Sequence, residues 1–142
     1  MAYFVLKQLP VLPPPTYLPP TPWASEYSLG QWVASRVASL LTTTDEMSGL
    51  SIDLEQPSGF IVWNDERRFL IRCELDAAFF HLYGLARDDV EYILDTFPIV
   101  RRNDEKTYGE YRTARTIIGI YDAMAEAIAG AAAAAAYETP LD

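Results

Sequence analysis

The clearest periodic pattern in the chain follows Ser28, where apolar residues recur at helical spacing on one face. Ser28 and Gln31 fit a capping box, in which the serine accepts from the third backbone N–H and the glutamine reaches back. We predict an amphipathic helix that ends at about Leu41, with Arg36 and the serines on its polar side. Its apolar face comprises Leu29, Trp32, Val33, Val37, Leu40 and Leu41.

A second apolar pattern covers residues 65–83 and predicts a helix that is buried on more than one side. Asn64 is a good N-cap type, and Gly84 lies where a left-handed residue ends a helix. The apolar residues 60–63 are either a short strand or a segment that packs on the start of this helix. Residues 42–58 are polar, acidic and interrupted by Gly and Pro, which predicts a loop.

Two more helices are predicted towards the C-terminus. A short one covers about 87–95 and stops before Pro98, because proline disfavours helical geometry in the residue before it. The final helix is predicted to begin between Asp104 and Tyr108, after a Pro-bounded turn. Its apolar face comprises Tyr111, Ala114, Ile118, Tyr121, Ala125 and Ile128. Residues 131–142 are predicted to be an Ala-rich, frayed tail.

The first 22 residues differ from the rest of the chain. Residues 3–6 predict a short strand, and seven of the ten prolines lie between Pro10 and Pro22. Such a segment predicts an extended arm, and its interleaved apolar residues favour an arm on a protein surface over a ligand for an aromatic groove. The fold is therefore predicted to be mainly α: about four helices in residues 23–130, preceded by a short strand and a Pro-rich arm in residues 1–22.

Composition restricts the function. The 142 residues are 50% hydrophobic and 13% aromatic, which indicates one folded domain. The net charge of −9 argues against a free-standing nucleic-acid-binding protein. The single cysteine excludes an internal disulfide and a zinc site with several cysteines. No apolar run reaches the ~18 residues of a membrane span, and no secretory signal pattern is visible, so a cytoplasmic location is expected.

Candidate catalytic and metal-binding residues are sparse. Cys73 and His81 lie eight residues apart, and on a helix this spacing keeps their side chains from meeting at one site. His81 is therefore interpreted as a structural, hydrogen-bonded histidine. The acidic residues within 88–95 lack the spacing of a calcium loop and suit a helix start and a solvated face. The glycines form no phosphate-binding pattern. We therefore expect no catalytic residue, no metal ligand and no cofactor-binding residue in this chain.

Positive charge is concentrated only between Pro98 and Arg115. The candidates for contact with the DNA backbone are Arg101, Arg102, Lys106, Arg112 and Arg115. Arg112 and Arg115 are one helical turn apart, and nearby tyrosines could stack on them. One interpretation is that these cations contact phosphates. The alternative, which the interleaved acids favour, is an internal ion-pair network with Glu105 and Glu110, or an interdomain interface.

Four stretches, taken in order, carry a family resemblance. They are YFVLKQLPVLP (3–13), ERRFLIRCELDAA (66–78), HLYGL (81–85) with YILDTFPIVRR (92–102), and GEYRT (109–113) with IYDAM (120–124). Together they resemble the C-terminal end of large site-specific adenine-N6 DNA methyltransferases. These are the restriction–modification type, in which methylation and target recognition share one polypeptide, and their BREX PglX-like relatives in phage defence.

The resemblance implies a parent protein that binds S-adenosylmethionine in a Rossmann-like domain and flips the target adenine. The catalytic Asn-Pro-Pro-Tyr type motif and the glycine-containing cofactor motif are absent from this chain. The chain is therefore expected to be a non-catalytic module, with residues 1–22 as the end of a target-recognition region. Ala86 departs from the family, where relatives tend to have a helix-capping serine.

The expected role of this module is to buttress target recognition and to contact the DNA backbone weakly through the five cations. Its expected partners are the methyltransferase and target-recognition domains of the parent protein, and DNA. The alternative is a protein-interaction module that docks other subunits of a defence system. A free-standing acidic mimic of DNA is a third, less favoured interpretation.

Overall fold

The computed structural model describes residues 10–53, 61–130 and 137–141. The predicted strand at residues 3–6 lies outside the described residues, and so does the alanine run 131–136. Over the described part the fold is mainly helical, as predicted. A short two-stranded antiparallel sheet, which the sequence did not predict, precedes the helices.

The Pro-rich arm contains a turn and a strand instead of one continuous extended segment. Pro14–Tyr17 forms a 3-10 helix, and Pro20–Thr21 (β1) pairs antiparallel with Ala24–Ser28 (β2). Proline favours such a turn because its ring fixes φ near the helical value. The arm does lie on the protein surface, as predicted: the hydroxyl of Tyr83 donates to the Pro10 carbonyl at 2.9 Å.

The first long helix, Leu29–Leu41 (α1), begins at the predicted capping box. The Ser28 hydroxyl accepts from the Gln31 N–H at 3.2 Å, and the Gln31 side chain accepts from the Ser28 N–H at 3.1 Å. Arg36, which was assigned to the polar side of this helix, is not directed to solvent. Its guanidinium turns inward to the buried Glu74, because an ion-pair partner 38 residues away outweighs the local polar pattern.

The predicted loop after α1 is partly helical. Asp45–Met47 forms a 3-10 turn, and Ser48–Asp53 forms a short helix (α2). Pro57, the only proline in this stretch, lies beyond both elements, so nothing in them blocks helical hydrogen bonds. Residues 61–63 precede the next helix without forming a strand.

The next two helices match the prediction. Asp65–Leu82 (α3) begins at Asn64, whose side chain accepts from the Arg67 N–H at 2.8 Å, and it ends before Gly84 at φ +67°. Arg87–Asp95 (α4) follows. A residue with positive φ is the usual way to end a helix, and glycine adopts it without steric cost.

Two helices occupy the region where one final helix was predicted. Pro98–Tyr108 (α5) is separated from Arg112–Ala129 (α6) by Gly109, which is left-handed at φ +76°. Pro98 begins α5 instead of bounding a turn. Backbone N–H groups in the first turn of a helix have no acceptor within the helix, so the N–H that proline lacks costs no hydrogen bond there. The predicted start between Asp104 and Tyr108 is therefore wrong.

The core lies between α3 and α6, with α1 and α4 packed against this pair. The face of α6 that is buried comprises Ile117, Ile120, Tyr121, Met124 and Ala127. Only Tyr121 belongs to the predicted face. The helix has small or apolar residues on most sides, so its own sequence does not determine which side packs inward. Among the described residues, no helix has the length and apolar character to cross a membrane.

Residues 137–141, assigned above to a frayed tail, lie against the helices. The Tyr137 hydroxyl donates to Glu74 at 2.8 Å, and its N–H donates to the Trp23 carbonyl at 3.3 Å. Arg67 donates to the Leu141 carbonyl at 2.7 Å. Side-chain partners on other elements therefore hold this segment, and the composition of the tail gives no sign of them.

Candidate interaction surface

Helix α5 connects α4 to α6 and differs from both in burial. None of its eleven residues is buried, whereas α4 buries Val90 and Leu94 and α6 buries five residues. Most of the stability of a helix in a protein comes from packing of an apolar face. The position of α5 must therefore be fixed by other contacts.

Polar contacts fix the inner side of α5. An Asp104 carboxylate oxygen accepts from the Thr113 N–H at 2.6 Å, which satisfies a backbone donor in the first turn of α6. The Tyr111 hydroxyl donates to the Leu94 carbonyl at 2.9 Å and ties the start of α6 to the end of α4. Partial burial is the main cause of a raised pKa at Tyr111.

Arg101, the first candidate cation, is fully engaged. Its guanidinium donates to Glu105 at 2.9 Å and to Asp95 at 3.2 Å, so it links α5 to the end of α4. The hydrogen bond that Arg101 donates to Glu105 is the main cause of a raised pKa at Arg101. The same guanidinium lies 5.9 Å from the centre of the Tyr111 ring.

Arg112 and Arg115 are also paired, but with different partners. Arg112 binds Glu66 on α3, and its guanidinium lies over the rings of Phe69 and Tyr108 at 4.3 and 4.7 Å. The hydrogen bond with Glu66 is the main cause of a raised pKa at Arg112. Arg115 pairs with Glu110 at 2.9 Å. The two arginines therefore serve separate contacts instead of forming one basic face.

Arg102 and Lys106 have no ion-pair partner in residues 10–53, 61–130 and 137–141. Both are exposed, and their spacing of four residues places them on one side of α5. Ile99 lies three residues before Arg102 on the same side and is 70% exposed. We call Ile99, Arg102 and Lys106 the outer face of α5.

Exposed apolar residues surround the start of α5. Tyr92 on α4 is 74% exposed, and Phe97 is half exposed. Sequence reasoning missed this group because it treated Pro98 as a boundary. A helix that starts at Pro98 places Ile99, Arg102 and Lys106 at i, i+3 and i+7, which is the spacing of one helical face.

The internal ion pairs that the alternative interpretation predicted are present: Glu105 with Arg101, and Glu110 with Arg115. Contact between the five cations and DNA stays a prediction. Its most direct candidates are now Arg102 and Lys106, the two of the five that have no ion-pair partner among the described residues.

A buried ionic cluster that the sequence did not reveal lies on the other side of the molecule. Arg36 donates two hydrogen bonds to Glu74, at 2.7 and 3.1 Å, and lies 3.6 Å from the centre of the Trp32 ring. Tyr137 donates to the same carboxylate, and burial is the main cause of a raised pKa at this tyrosine. Because the carboxylate is inaccessible and fully bonded, the cluster stabilises the fold and is not open to a ligand.

The two residues considered for catalysis have structural surroundings. His81 lies 2.9 Å from the Tyr121 carbonyl and stacks on the Tyr121 ring at 3.9 Å, which confirms the hydrogen-bonded histidine. Burial raises the pKa of Cys73 to about 12, so its sulfur remains a thiol at neutral pH and is a poor nucleophile. Within the described ranges, no three His, Cys, Asp or Glu side chains are grouped to hold a metal ion.

No protein-family model, no curated protein and no solved structure matches the chain. The likeness to adenine-N6 methyltransferases therefore rests on the four sequence stretches alone.

Proposed function

We propose that this chain is a non-catalytic helical module of a DNA adenine-N6 methyltransferase of the restriction–modification or phage-defence type. In this role it buttresses the target-recognition region by docking through the outer face of α5. The four family-like stretches support the parent protein, and their order along the chain is more specific than any one of them. The observation that carries the docking role is that α5 buries none of its residues.

An isolated helix of eleven residues is marginal in water. Helix α5 is nevertheless held in place by Asp104, which accepts from the Thr113 N–H of α6, and by Arg101, which donates to Asp95 at the end of α4. Its exposed side carries Ile99, and Phe97 is exposed at its start. Exposed apolar groups gathered next to polar ones are typical of a surface that binds another protein or domain.

In the test, the chain is tagged in its source cells and purified together with any covalently linked domains and any bound proteins, as one assembly. We expect this assembly to transfer methyl groups from S-adenosylmethionine to adenine N6 in DNA, while the separate 142-residue chain shows no transfer. The combined variant Ile99→Glu, Arg102→Glu should retain its fold and lose most of the co-purified activity. Arg72→Glu, at an exposed arginine on α3, is the matched control and should retain it.

An intact wild-type assembly without adenine methylation would contradict the methyltransferase assignment. Equal recovery of activity with the α5 variant and with the Arg72 control would contradict the docking role. The two parts of the proposal can therefore fail separately.

A second candidate function is weak contact with the DNA backbone. The observation in its favour is that Arg102 and Lys106 are exposed and unpaired among the described residues, and a cation that replaces counterions gains affinity for phosphates. Fluorescence anisotropy of the chain with DNA at about 50 and 200 mM salt should then show weak binding that falls steeply with salt and does not depend on sequence. Arg102→Glu with Lys106→Glu should abolish it. Absence of binding at the lower salt would exclude this function for the isolated module.

A further inference from the structure

We infer that the outer face of α5 binds an acidic amphipathic helix of a partner protein or domain. The inference rests on the proposed docking function and names the chemistry of the partner. Three observations carry it: the unpaired charges on the face, the apolar residues beside them, and their spacing along the helix.

The charges on this face are complementary to an acidic surface. Arg102 and Lys106 are exposed and unpaired in the described ranges, whereas Arg101 on the neighbouring side of the same helix is paired twice. The protein as a whole carries a net charge of −9, so two unopposed cations on one helical face are a local exception. Opposite charges across an interface guide the encounter and fix its register.

The apolar residues favour a protein over a nucleic acid as the occupant. Ile99 is 70% exposed, and two further exposed apolar residues, Phe97 and Tyr92, precede it at the start of α5 and on α4. A phosphate backbone offers no apolar surface to cover such residues, whereas the apolar stripe of an amphipathic helix does.

The spacing fits a helix as the partner. At 1.5 Å per residue, α5 is about 16 Å long, and Ile99 and Lys106 are two turns apart. A partner helix of about three turns could place an apolar side chain on Ile99 and carboxylates near Arg102 and Lys106. A stable interface needs about 800 Å² on each side, so the footprint must also include Tyr92 and Phe97.

The first step of the test identifies what contacts the outer face. A photoreactive benzoylphenylalanine replaces Ile99, and in a second sample Phe97, in the tagged chain in its source cells. After irradiation, mass spectrometry identifies the cross-linked molecule. We expect a protein segment that has Asp or Glu within one or two helical turns of the cross-linked residue. Cross-links to DNA or to a second copy of this chain, or no cross-link from either position, overturn the inference.

The second step tests the charges with the cross-linked segment, synthesised as a peptide and titrated against the full chain by calorimetry. Arg102→Glu with Lys106→Glu should weaken binding at least tenfold, and Arg72→Glu should leave it unchanged. A peptide whose carboxylates are replaced by lysines should restore binding to the double variant. Weakened binding without this restoration, or no weakening, overturns the inference. Circular dichroism of each variant shows whether its helices are intact.

The cross-linking experiment and the methylation assay can give independent results. An acidic helical partner from an assembly without methylation activity would support the inference and contradict the parent assignment. Methylation activity without a cross-link from α5 would do the reverse.

Discussion

Two Arg–Glu pairs with similar chemistry occupy opposite environments in this molecule. Arg36 and Glu74 meet at 2.7 Å with side chains that are 12% and 0% exposed, while Arg101 and Glu105 meet at 2.9 Å with both side chains about half exposed. An exposed pair of this kind contributes ~0–1 kcal/mol, because water screens it and the side chains lose freedom. Removal of one partner from a buried pair lowers the free energy of unfolding far more, because the remaining charge is buried with neither water nor an opposite charge to stabilise it.

The regions that contain these two pairs differ in the same way, one being closed to water and the other open. Around Glu74, helices α1 and α3 and residue Tyr137 exclude water, so each side chain has one set of partners. Around Arg101, the polar contacts orient α5 without burying it. The first region is committed to stability, and the second keeps a surface available for binding.

The largest expected effect comes from breaking the buried pair. Glu74→Ala should lower the free energy of unfolding by about 3–5 kcal/mol, because the Arg36 guanidinium is left buried and unpaired. Urea denaturation followed by circular dichroism measures this loss. Glu105→Ala is the matched control and should cost less than about 1 kcal/mol. Similar losses for the two variants would show that the two regions do not differ as described.

A comparable contrast is expected between two isoleucines. Ile117→Ala removes a side chain that is 1% exposed and should cost about 2–5 kcal/mol by lost burial and a cavity. Ile99→Ala on the outer face of α5 should change stability by no more than about 0.5 kcal/mol. Urea denaturation of both variants provides the measurement, and a large loss at Ile99 would mean that α5 packs inward.

The turn between α5 and α6 gives a smaller effect. Gly109→Ala should cost about 1–2 kcal/mol, because the left-handed φ of +76° is unfavourable for a residue with a Cβ. Gly119→Ala lies inside α6 with open space around the added methyl group and should instead stabilise by about 0.5–1 kcal/mol. Thermal denaturation of the pair should show shifts of opposite sign, and shifts of the same sign would contradict the described turn.

The smallest expected effect lies at the start of α4. Ala86 occupies the N-cap position in an extended conformation, and its N–H already donates to Asp89. Ala86→Ser would supply the missing acceptor for the first turn and should stabilise the protein by about 1 kcal/mol. Ala86→Val, which has no hydroxyl, is the control and should give no gain. Thermal denaturation can resolve the difference.

Local signals in the sequence were sufficient for much of the fold. The capping box at Ser28 and the left-handed Gly84 each depend on residues within one helical turn, and the structure has both. Pro98 was misread because proline can end a helix or begin one, and its neighbours alone do not decide between the two. The buried face of α6 was misplaced because alanines and isoleucines on several sides fit more than one orientation.

The candidate site depended on distant partners. The sequence predicted the five cations as a group, but pairing of Arg112 with Glu66 and of Arg36 with Glu74 requires residues on other helices. No periodic pattern contains this information. The local pairs of Arg101 with Glu105 and of Arg115 with Glu110 were predicted, whereas the long-range pair of Arg112 with Glu66 became visible only in the tertiary arrangement.

The absence of buried residues in α5 has a consequence for its dynamics. Opening α5 would expose little apolar surface, so it should require much less free energy than global unfolding. Backbone amides of α5 should then exchange with deuterium well before those of α3 and α6. A partner that binds the outer face would suppress this opening, and slowed exchange in α5 alone would report its occupancy without any assay of activity.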